Sequence, residues 1–180
     1  MKQAHIDNQF EDIRKAIRDI PDFPKKGIIF KDITPVLQSP ELFRKIIDHF
    51  TRRYSSRGID AIVAIEARGF IFGAALAEKM GLPLIPIRKK GKLPYRTVQA
   101  TYQLEYGTDT IEMHADALQP GQKTVIIDDL AATGGTAKAA IELVEKLDAA
   151  VTELAFVIEL EFLNPRALLE GYDVYALVKF

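Results

Sequence analysis

The twelve residues from Val125 to Thr136, with the sequence VIIDDLAATGGT, are the segment of this chain that says most about its fold. Three apolar residues of strand type run into two adjacent carboxylates, Asp128 and Asp129, and a loop of small residues follows. Residues 137–147 then carry apolar side chains at the spacing of one helix face. The stretch therefore predicts a buried strand, a loop containing glycine and threonine, and a helix.

This strand, loop and helix have the composition of an anion-binding site. Backbone N–H groups of such a loop point towards the ligand, and the positive end of the helix dipole favours a phosphate. The two carboxylates offer acceptors for sugar hydroxyl groups, or oxygens for a metal ion shared with the ligand. A phosphate and a sugar diol together indicate a ribose phosphate.

Other phosphate-binding loops fit this stretch less well. It lacks the Gly-Lys-Ser/Thr ending of a Walker A loop, and the chain has no GxGxxG dinucleotide fingerprint. The structural alternative is a tight turn in which the acids, or the hydroxyl group of Thr133, only cap the helix.

Composition and charge limit the classes of protein to which this chain can belong. At 180 residues with 48% hydrophobic residues, the chain is long enough to bury a core, and we predict one domain over residues 1–180. The net charge of −1 gives no overall basic field for nucleic acid, and no apolar run reaches the length of a membrane span. The absence of cysteine excludes disulfides and thiolate nucleophiles, and it fits the cytoplasmic location that we expect.

The rest of the chain alternates predicted helices and strands. Amphipathic helices are predicted over residues 6–20 and after Ser39–Pro40, with a mostly looped segment at 22–36 and a mobile basic loop at 88–100. Strands are predicted at 61–65, 84–87, 151–160 and 173–178, an antiparallel hairpin at 101–106 and 110–113, and helices at 70–80 and 164–170. Because strands that alternate with helices form right-handed βαβ units, we expect an α/β fold with a mainly parallel twisted sheet flanked by helices.

The segment at 125–136 resembles the motif with which the type I phosphoribosyltransferases bind 5-phosphoribosyl 1-diphosphate (PRPP). Four further segments narrow the resemblance to the members of that family that act on adenine. They are PDFPKKGIIFKDITP at 21–35, EARGFIFG at 66–73, RKKGKLP at 88–94 and LEYG at 104–107. Because these segments follow in order along nearly the whole chain, the set is far more specific than any one of them. The resemblance implies the type I phosphoribosyltransferase fold, with a small N-terminal hood at residues 1–36 that contributes to base binding and a flexible active-site loop.

The resemblance assigns the phosphate and the sugar of PRPP to the segment at 125–136. The phosphate would lie against Ala132, Thr133, Gly134, Gly135 and Thr136. The ribose hydroxyl groups would face Asp128 and Asp129. Because open α/β sheets bind ligands beyond the carboxyl ends of their strands, we expect the 66–69 segment and the basic loop at the same edge of the sheet.

By the same resemblance, the pyrophosphate would contact Ala67, Arg68, Arg88 and Lys92. The forked donors of an arginine suit its oxygens, although the residues alone leave open a surface ion pair for Arg68 and a solvated loop for the other cations. The family has a non-proline cis peptide in this region, which would fall near Glu66–Ala67. Many relatives carry serine where this chain has Ala67.

The resemblance also implies how the base is held and deprotonated. Phe30 would pack on the face of adenine, and the backbone of Ile29 would contact its edge. Glu105 would accept a proton near the imidazole edge of the base, because a base nitrogen that attacks the sugar must lose one. Glu105 and Arg68 are thus the expected catalytic residues, while the residues alone leave open a core position for Phe30 and an exposed one for Glu105.

For this chain, the resemblance implies purine salvage, in which adenine and PRPP give AMP and pyrophosphate. It also implies a homodimer and Mg²⁺ as cofactor, carried by PRPP rather than held by a protein metal site. Two alternatives stay open: a phosphoribosyltransferase for another purine, such as xanthine or hypoxanthine, and a PRPP-sensing regulator. The near-neutral charge and the short, proline-rich N-terminal segment argue against DNA binding, so we expect neither nucleic acid nor membrane as a partner.

Overall fold

The computed structural model describes residues 9–103 and 107–180, which divide between compact units at 1–49 and 50–180. The first unit contains α1 (Glu11–Ala16), β1 (Arg18–Pro21), β2 (Ile29–Asp32), α2 (Thr34–Leu37) and the first part of α3 (Pro40–Tyr54). Strands β1 and β2 form a two-stranded antiparallel sheet, with Ile20 opposite Phe30. The single domain and the hood at residues 1–36 stay predictions.

The small sheet corrects the sequence prediction for this unit. Periodicity predicts a helix over residues 6–20 and a loop across residues 29–32. In the structure, residues 18–20 belong to β1 and residues 29–32 form β2. Each of these strands forms by pairing with the other. The hydrophobic pattern of one segment carries no information about which segment will pair with it. Helix α3 begins at Pro40 as predicted, and the N–H group of Leu42 donates to the hydroxyl oxygen of Ser39 at 3.3 Å.

The second unit is built on a seven-stranded sheet. Its strands are β3 (Ala61–Ile65), β4 (Leu84–Lys89), β5 (Thr97–Gln103), β6 (Thr108–His114), β7 (Lys123–Ala131), β8 (Ala150–Glu159) and β9 (Val174–Lys179). They lie in the order β5-β6-β4-β3-β7-β8-β9. Strands β4, β3, β7, β8 and β9 are parallel, whereas β6 pairs antiparallel with both β4 and β5. The expected mainly parallel α/β sheet is therefore confirmed.

Helices cover opposite faces of this sheet. The unit contains α4 (Gly69–Met80), α5 (Gly135–Glu145) and two 3-10 segments, Glu161–Leu163 and Pro165–Leu169. A Cβ atom on Gly73 would lie 2.5 Å from the Cβ of Ala64 and 3.1 Å from Cγ2 of Ile127, so α4 lies directly on β3 and β7. The neighbouring strand residues Val63 and Ile126 point to the other face, where they share a buried cluster with α5. Among the residues described, no helix has the length and apolarity to cross a membrane.

The basic loop is shorter than the sequence predicts. Residues 88–89 belong to β4 and residues 97–100 belong to β5, because both strands extend through antiparallel pairing with β6. The basic loop of the structure is therefore residues 90–96. The antiparallel hairpin itself is confirmed for the described residues, and residues 104–106 of its first predicted strand lie outside them. The helix predicted at 164–170 is a 3-10 segment.

The order of the strands creates a topological switch point, where successive strands are added on opposite sides of β3. From the central strand β3, the chain continues to β4 on one side, while β7 lies on the other. Ligands of open α/β sheets bind beyond the carboxyl ends of strands at such a point. The residues that follow β3 and those that end β7 therefore flank the expected binding edge.

Candidate active site

A small cradle, residues 131–136, joins the end of β7 to the start of α5. Together with Asp128, Leu130 and Phe156, it lines a cavity of about 70 Å³. Sites for drug-sized ligands usually measure about 300–1,000 Å³, so this cavity suits one small group rather than a whole nucleotide. All five residues that the sequence assigns to the phosphate, 132–136, line it.

The first turn of α5 carries backbone donors at the cradle. The first four N–H groups of a helix have no acceptor within the helix, and the N-cap residue here is Gly134, which has no side chain to satisfy them. The alternative in which Thr133 caps the helix is therefore wrong. The helix dipole stabilises an anion at such an end by about 0.3–1 kcal/mol, so the cradle is suited to a phosphate group.

The 3-10 segment that starts at Pro165 packs closely against the cradle at Gly134. Gly134 has a φ of 88°, and a Cβ atom there would lie 2.6 Å from the carbonyl oxygen of Pro165. The segment is held by Arg166, which donates two hydrogen bonds of 2.7 and 2.8 Å to the buried carboxylate of Glu159 at the end of β8. Only glycine combines this backbone conformation with so close an approach.

The two carboxylates at the end of β7 have different partners. Asp129 is only 5% exposed, and it accepts a hydrogen bond of 2.5 Å from Nε of Arg68. Asp128 borders the cavity, and its Oδ1 accepts the N–H group of Asp129 at 2.8 Å. Burial, together with the adjacent carboxylate of Asp129, raises the pKa of Asp128 well above its ordinary range. Asp129 thus holds Arg68, while Asp128 faces the space next to the cradle.

The raised pKa predicts that Asp128→Asn stabilises the protein at neutral pH. A carboxyl group whose folded pKa lies above its unfolded value of about 3.9 destabilises the fold at pH values above the folded pKa, and this cost disappears below the unfolded pKa. We expect the variant to gain on the order of 1 kcal/mol at pH 7, which raises Tm by about 2–4 °C. Thermal unfolding at several pH values should show the gain shrinking as the pH falls towards about 4.

The matched control for this prediction is Asp129→Asn. It removes the neighbouring charge but also the carboxylate that accepts the hydrogen bond from Nε of Arg68, so we expect it to lower Tm at pH 7. A lower Tm for Asp128→Asn at pH 7 would contradict the raised pKa of Asp128.

The segment that follows β3 also carries Glu66, which pairs with Arg88 of β4. The peptide bond between Glu66 and Ala67 is cis, which agrees with the expectation from the resemblance. The carboxylate of Glu66 accepts Nε of Arg88 at 3.0 Å and the backbone N–H group of Lys89 at 2.9 Å. Nη1 of Arg88 also donates to the carbonyl oxygen of Lys92 at 3.4 Å. The side chain of Arg88 and the backbone of Lys92 therefore lie beside the 66–68 segment.

The sequence does not single out two carboxylates that organise this side of the site. Glu66 is part of a quoted motif but receives no role, and Glu112 receives none although it contacts the basic loop. The sequence holds no signal for Glu112, because an acid between Ile111 and Met113 fits the alternation of a strand with one apolar face. No spacing rule links Glu66 to Arg88, which follows 22 residues later.

The candidate general base Glu105 lies outside the described residues. The strand that precedes it ends at Gln103, whose carbonyl oxygen would lie 3.5 Å from a Cβ atom on Gly135. The last described residue of β5 is therefore next to the start of α5.

The two residues predicted to hold the base lie on β2 in the first unit. Ile29 is 55% exposed, and Phe30 is partly exposed rather than buried in a core. The ring of Phe30 meets that of Phe23 edge to face, with centroids 5.2 Å apart. Apolar surface at this strand is thus accessible.

Comparison with known proteins agrees with these features. Residues 32–169 match a family model described as a phosphoribosyl transferase domain. The chain is 56% identical to the adenine phosphoribosyltransferase of Thermotoga neapolitana over 169 residues, which cover 94% of this chain and 99% of that protein. It is 51% identical to the adenine phosphoribosyltransferase of Thermoanaerobacter pseudethanolicus, whose crystal structure matches with a TM-score of 0.92 over 95% of this chain and 99% of the other.

A third comparison involves a complex. The crystal structure of the Saccharomyces cerevisiae adenine phosphoribosyltransferase with adenine and D-2,5-dideoxy-2,5-imino-altritol 1,6-bisphosphate has a TM-score of 0.89 and 41% identity. The match covers 97% of this chain and 99% of that one. Since the family model and these relatives match across most of the chain, it belongs to the adenine phosphoribosyltransferases of the type I phosphoribosyltransferase family.

Proposed function

We propose that this chain transfers the 5-phosphoribosyl group of PRPP to adenine, giving AMP and pyrophosphate. The observation that carries the proposal is the cradle at 131–136, with carboxylates and arginines at the same edge of the sheet. The relatives named for this activity support it, as does the Saccharomyces cerevisiae structure with adenine and a bisphosphate. Purine salvage is the metabolic role that this reaction serves.

The chain's contribution to the reaction is positioning and charge stabilisation. The cradle holds the 5-phosphate and so fixes the sugar, which places the carbon that bears the diphosphate opposite the base. As the bond from this carbon to the diphosphate oxygen breaks, the sugar gains positive charge and the leaving group gains negative charge. Arg68, Arg88 and Lys92 stabilise the leaving pyrophosphate, while Asp128 accepts hydrogen bonds from the ribose hydroxyl groups. Asp129 keeps the guanidinium of Arg68 in place.

The base is held by the hood in this proposal. Phe30 stacks on adenine, which is worth about 1–3 kcal/mol in comparable sites, and the backbone of Ile29 contacts the edge of the ring. The accessible surface at β2 supports this assignment. As a base nitrogen bonds to the sugar carbon, its proton passes to Glu105, an assignment that rests on the sequence resemblance alone.

We include magnesium as the cofactor, entering with PRPP. Mg²⁺ prefers oxygen ligands, and the diphosphate provides them. Within residues 9–103 and 107–180, no group of three or more histidine or acidic side chains is arranged to hold a metal ion, and the nearby Asp128 offers a fitting oxygen donor. When bound, the ion neutralises part of the charge on the diphosphate.

Assembly and location complete the proposal. The homodimer is implied by the family resemblance and the cytoplasmic location is an expectation from the composition, and each has a direct measurement. Light scattering after gel filtration should give about twice the 20.1 kDa mass of the chain. Cell fractionation should recover the protein with cytoplasmic markers.

Base selectivity tests the proposed function. Purified protein is mixed with PRPP and Mg²⁺, then with adenine, hypoxanthine, guanine or xanthine, and pyrophosphate release is measured with a no-base control for PRPP hydrolysis. We expect kcat/KM for adenine to exceed that for the other bases by at least about 100-fold, because a site that pairs with one set of polar groups rejects bases that lack it. Preference for xanthine or hypoxanthine would overturn the assigned base, and PRPP binding without turnover of any base would favour a regulatory protein.

A further inference from the structure

Glu112, in the middle of β6, is a buried carboxylate that the mechanism above does not use. It is 2% exposed, although glutamate is rarely buried without partners. Its Oε1 accepts the backbone N–H groups of Lys92 at 3.1 Å and Leu93 at 3.0 Å. Its Oε2 accepts hydrogen bonds from the hydroxyl group of Thr97 at 3.3 Å and from the side-chain amide nitrogen Nε2 of Gln99 at 3.4 Å. A carboxyl group is thus buried against four neutral donors, two of which belong to the backbone of the basic loop.

The register of the sheet explains why the acid meets the loop. Glu112 is directly opposite Arg88 on β4 and Gln99 on β5, and residues in such positions share a face of the sheet. Its neighbours Ile111 and Met113 point to the other face, where they belong to the buried core. Glu112 therefore faces away from the core, on the side that carries Arg88.

A continuous set of hydrogen bonds leads from Glu112 to the segment after β3. Glu112 accepts the N–H group of Lys92, and the carbonyl oxygen of Lys92 accepts Nη1 of Arg88. Nε of Arg88 donates to Glu66, which also accepts the N–H group of Lys89. The position of the basic loop is therefore tied to the position of the arginine beside residues 66–68.

We propose that Glu112 is a positioning residue for the pyrophosphate side of the site. By fixing the backbone of Lys92 and Leu93, it sets where Lys92 and Arg88 stand when PRPP binds. This inference rests on the proposed function, and Glu112 itself contacts no substrate in it. Removing the carboxylate leaves two backbone donors without their acceptor and releases the loop, so the ammonium and guanidinium groups must be ordered again each time PRPP binds.

The conservative variant separates geometry from the presence of charge. The amide oxygen of Glu112→Gln can still accept both backbone N–H groups, and a hydroxyl group such as that of Thr97 can accept from the new amide nitrogen. Glu112→Ala offers no acceptor at all. The proposal therefore expects the alanine variant to be impaired and the glutamine variant to be rescued.

Steady-state kinetics with both substrates is the first test. We expect Glu112→Ala to raise KM for PRPP by about 10-fold or more while changing KM for adenine by less than about 3-fold, and Glu112→Gln to stay within about 3-fold of the wild type for both. Hydrogen–deuterium exchange is a second readout that needs no activity. The amides of Lys92 and Leu93 should exchange at least about 10-fold faster in Glu112→Ala, and those of β7 should not change.

Glu153→Ala is the matched control. Glu153 is also 2% exposed, and it is held by Arg53 and Tyr54, but it pairs with Val125 near the amino end of β7, away from the cradle. We expect this variant to lose stability and to keep the wild-type KM for PRPP. An equal rise in KM for PRPP in Glu153→Ala would overturn the proposal, because general destabilisation would then explain the effect.

A variant on the loop itself covers the case in which Glu112→Ala does not fold. Leu93→Pro removes one of the two backbone donors without changing the buried carboxylate, and it should raise KM for PRPP by about 3-fold or more. Unchanged KM for PRPP in both Glu112→Ala and Leu93→Pro, or in Leu93→Pro alone if the first is unfolded, would refute the positioning role. A wild-type protein that does not react with adenine would overturn the proposed function instead, and amide exchange would still decide whether Glu112 holds the loop.

Discussion

Arg68→Ala should lower kcat/KM for PRPP by about 10²–10³-fold, the loss seen when one preorganised donor to developing charge is removed. Arg68 contributes twice in this site. Its guanidinium is available to the leaving pyrophosphate in the proposed mechanism, and it donates at 2.5 Å to the buried carboxylate of Asp129. Losing it leaves that carboxylate without this partner, which should also lower the stability of the fold by about 1–3 kcal/mol.

Two further variants separate these effects of Arg68. Arg68→Lys keeps the charge without the forked donors, so we expect an intermediate loss of roughly 10-fold or more. The double variant Arg68→Ala/Asp129→Asn removes the uncompensated charge, and its Tm should rise above that of Arg68→Ala while activity stays low. Recovery of activity in the double variant would mean that Arg68 acts only as the structural partner of Asp129.

Gly134→Ala should abolish PRPP binding at concentrations that saturate the wild type, with a loss of at least about 100-fold in kcat/KM. The added Cβ would lie 2.6 Å from the carbonyl oxygen of Pro165, and backbone atoms cannot turn away as a flexible side chain does. The φ of 88° adds about 1–2 kcal/mol for any residue with a Cβ atom. The cradle and the 3-10 segment must therefore separate, and the donors of the first turn of α5 lose their arrangement.

Gly171→Ala isolates the backbone cost in this experiment. Gly171 has a φ of 90°, and an added Cβ would meet nothing within 4 Å, so this variant has the conformational penalty without the collision. We expect a lower Tm with normal PRPP binding, measured by calorimetry on both variants. Wild-type affinity for PRPP in Gly134→Ala would show that the cradle does not depend on the close packing of Gly134 against Pro165.

The sequence predicts well those segments whose own residues are enough to determine their secondary structure. The strand predicted at 61–65 has the same bounds in the structure, because five buried residues form an uninterrupted apolar run. Helix α4 begins one residue before its prediction, and it ends before Gly81, which has a φ of 65°. The cradle belongs to the same class, since the loop and both flanking elements follow one another along the chain.

The parts that the sequence does not predict depend on partners far along the chain. Strand β2 exists because β1 pairs with it, and the extra residues of β4 and β5 exist because β6 does. In the site, Arg68 finds its carboxylate 61 residues later and Arg88 finds one 22 residues earlier. The topology of the sheet predicts that such segments meet at one edge, but not which side chains pair there.

The contacts of Glu112 bear on any attempt to engineer this enzyme by exchanging loops between relatives. Residues 90–96 look like a self-contained module, yet one anchor stands 20 residues downstream of Lys92 and the other precedes Arg88 by 22 residues. A chimera that imports the short segment alone would receive its positive charges without the acids that orient them. Successful transplants should be those in which both carboxylates accompany the graft or already stand in the recipient.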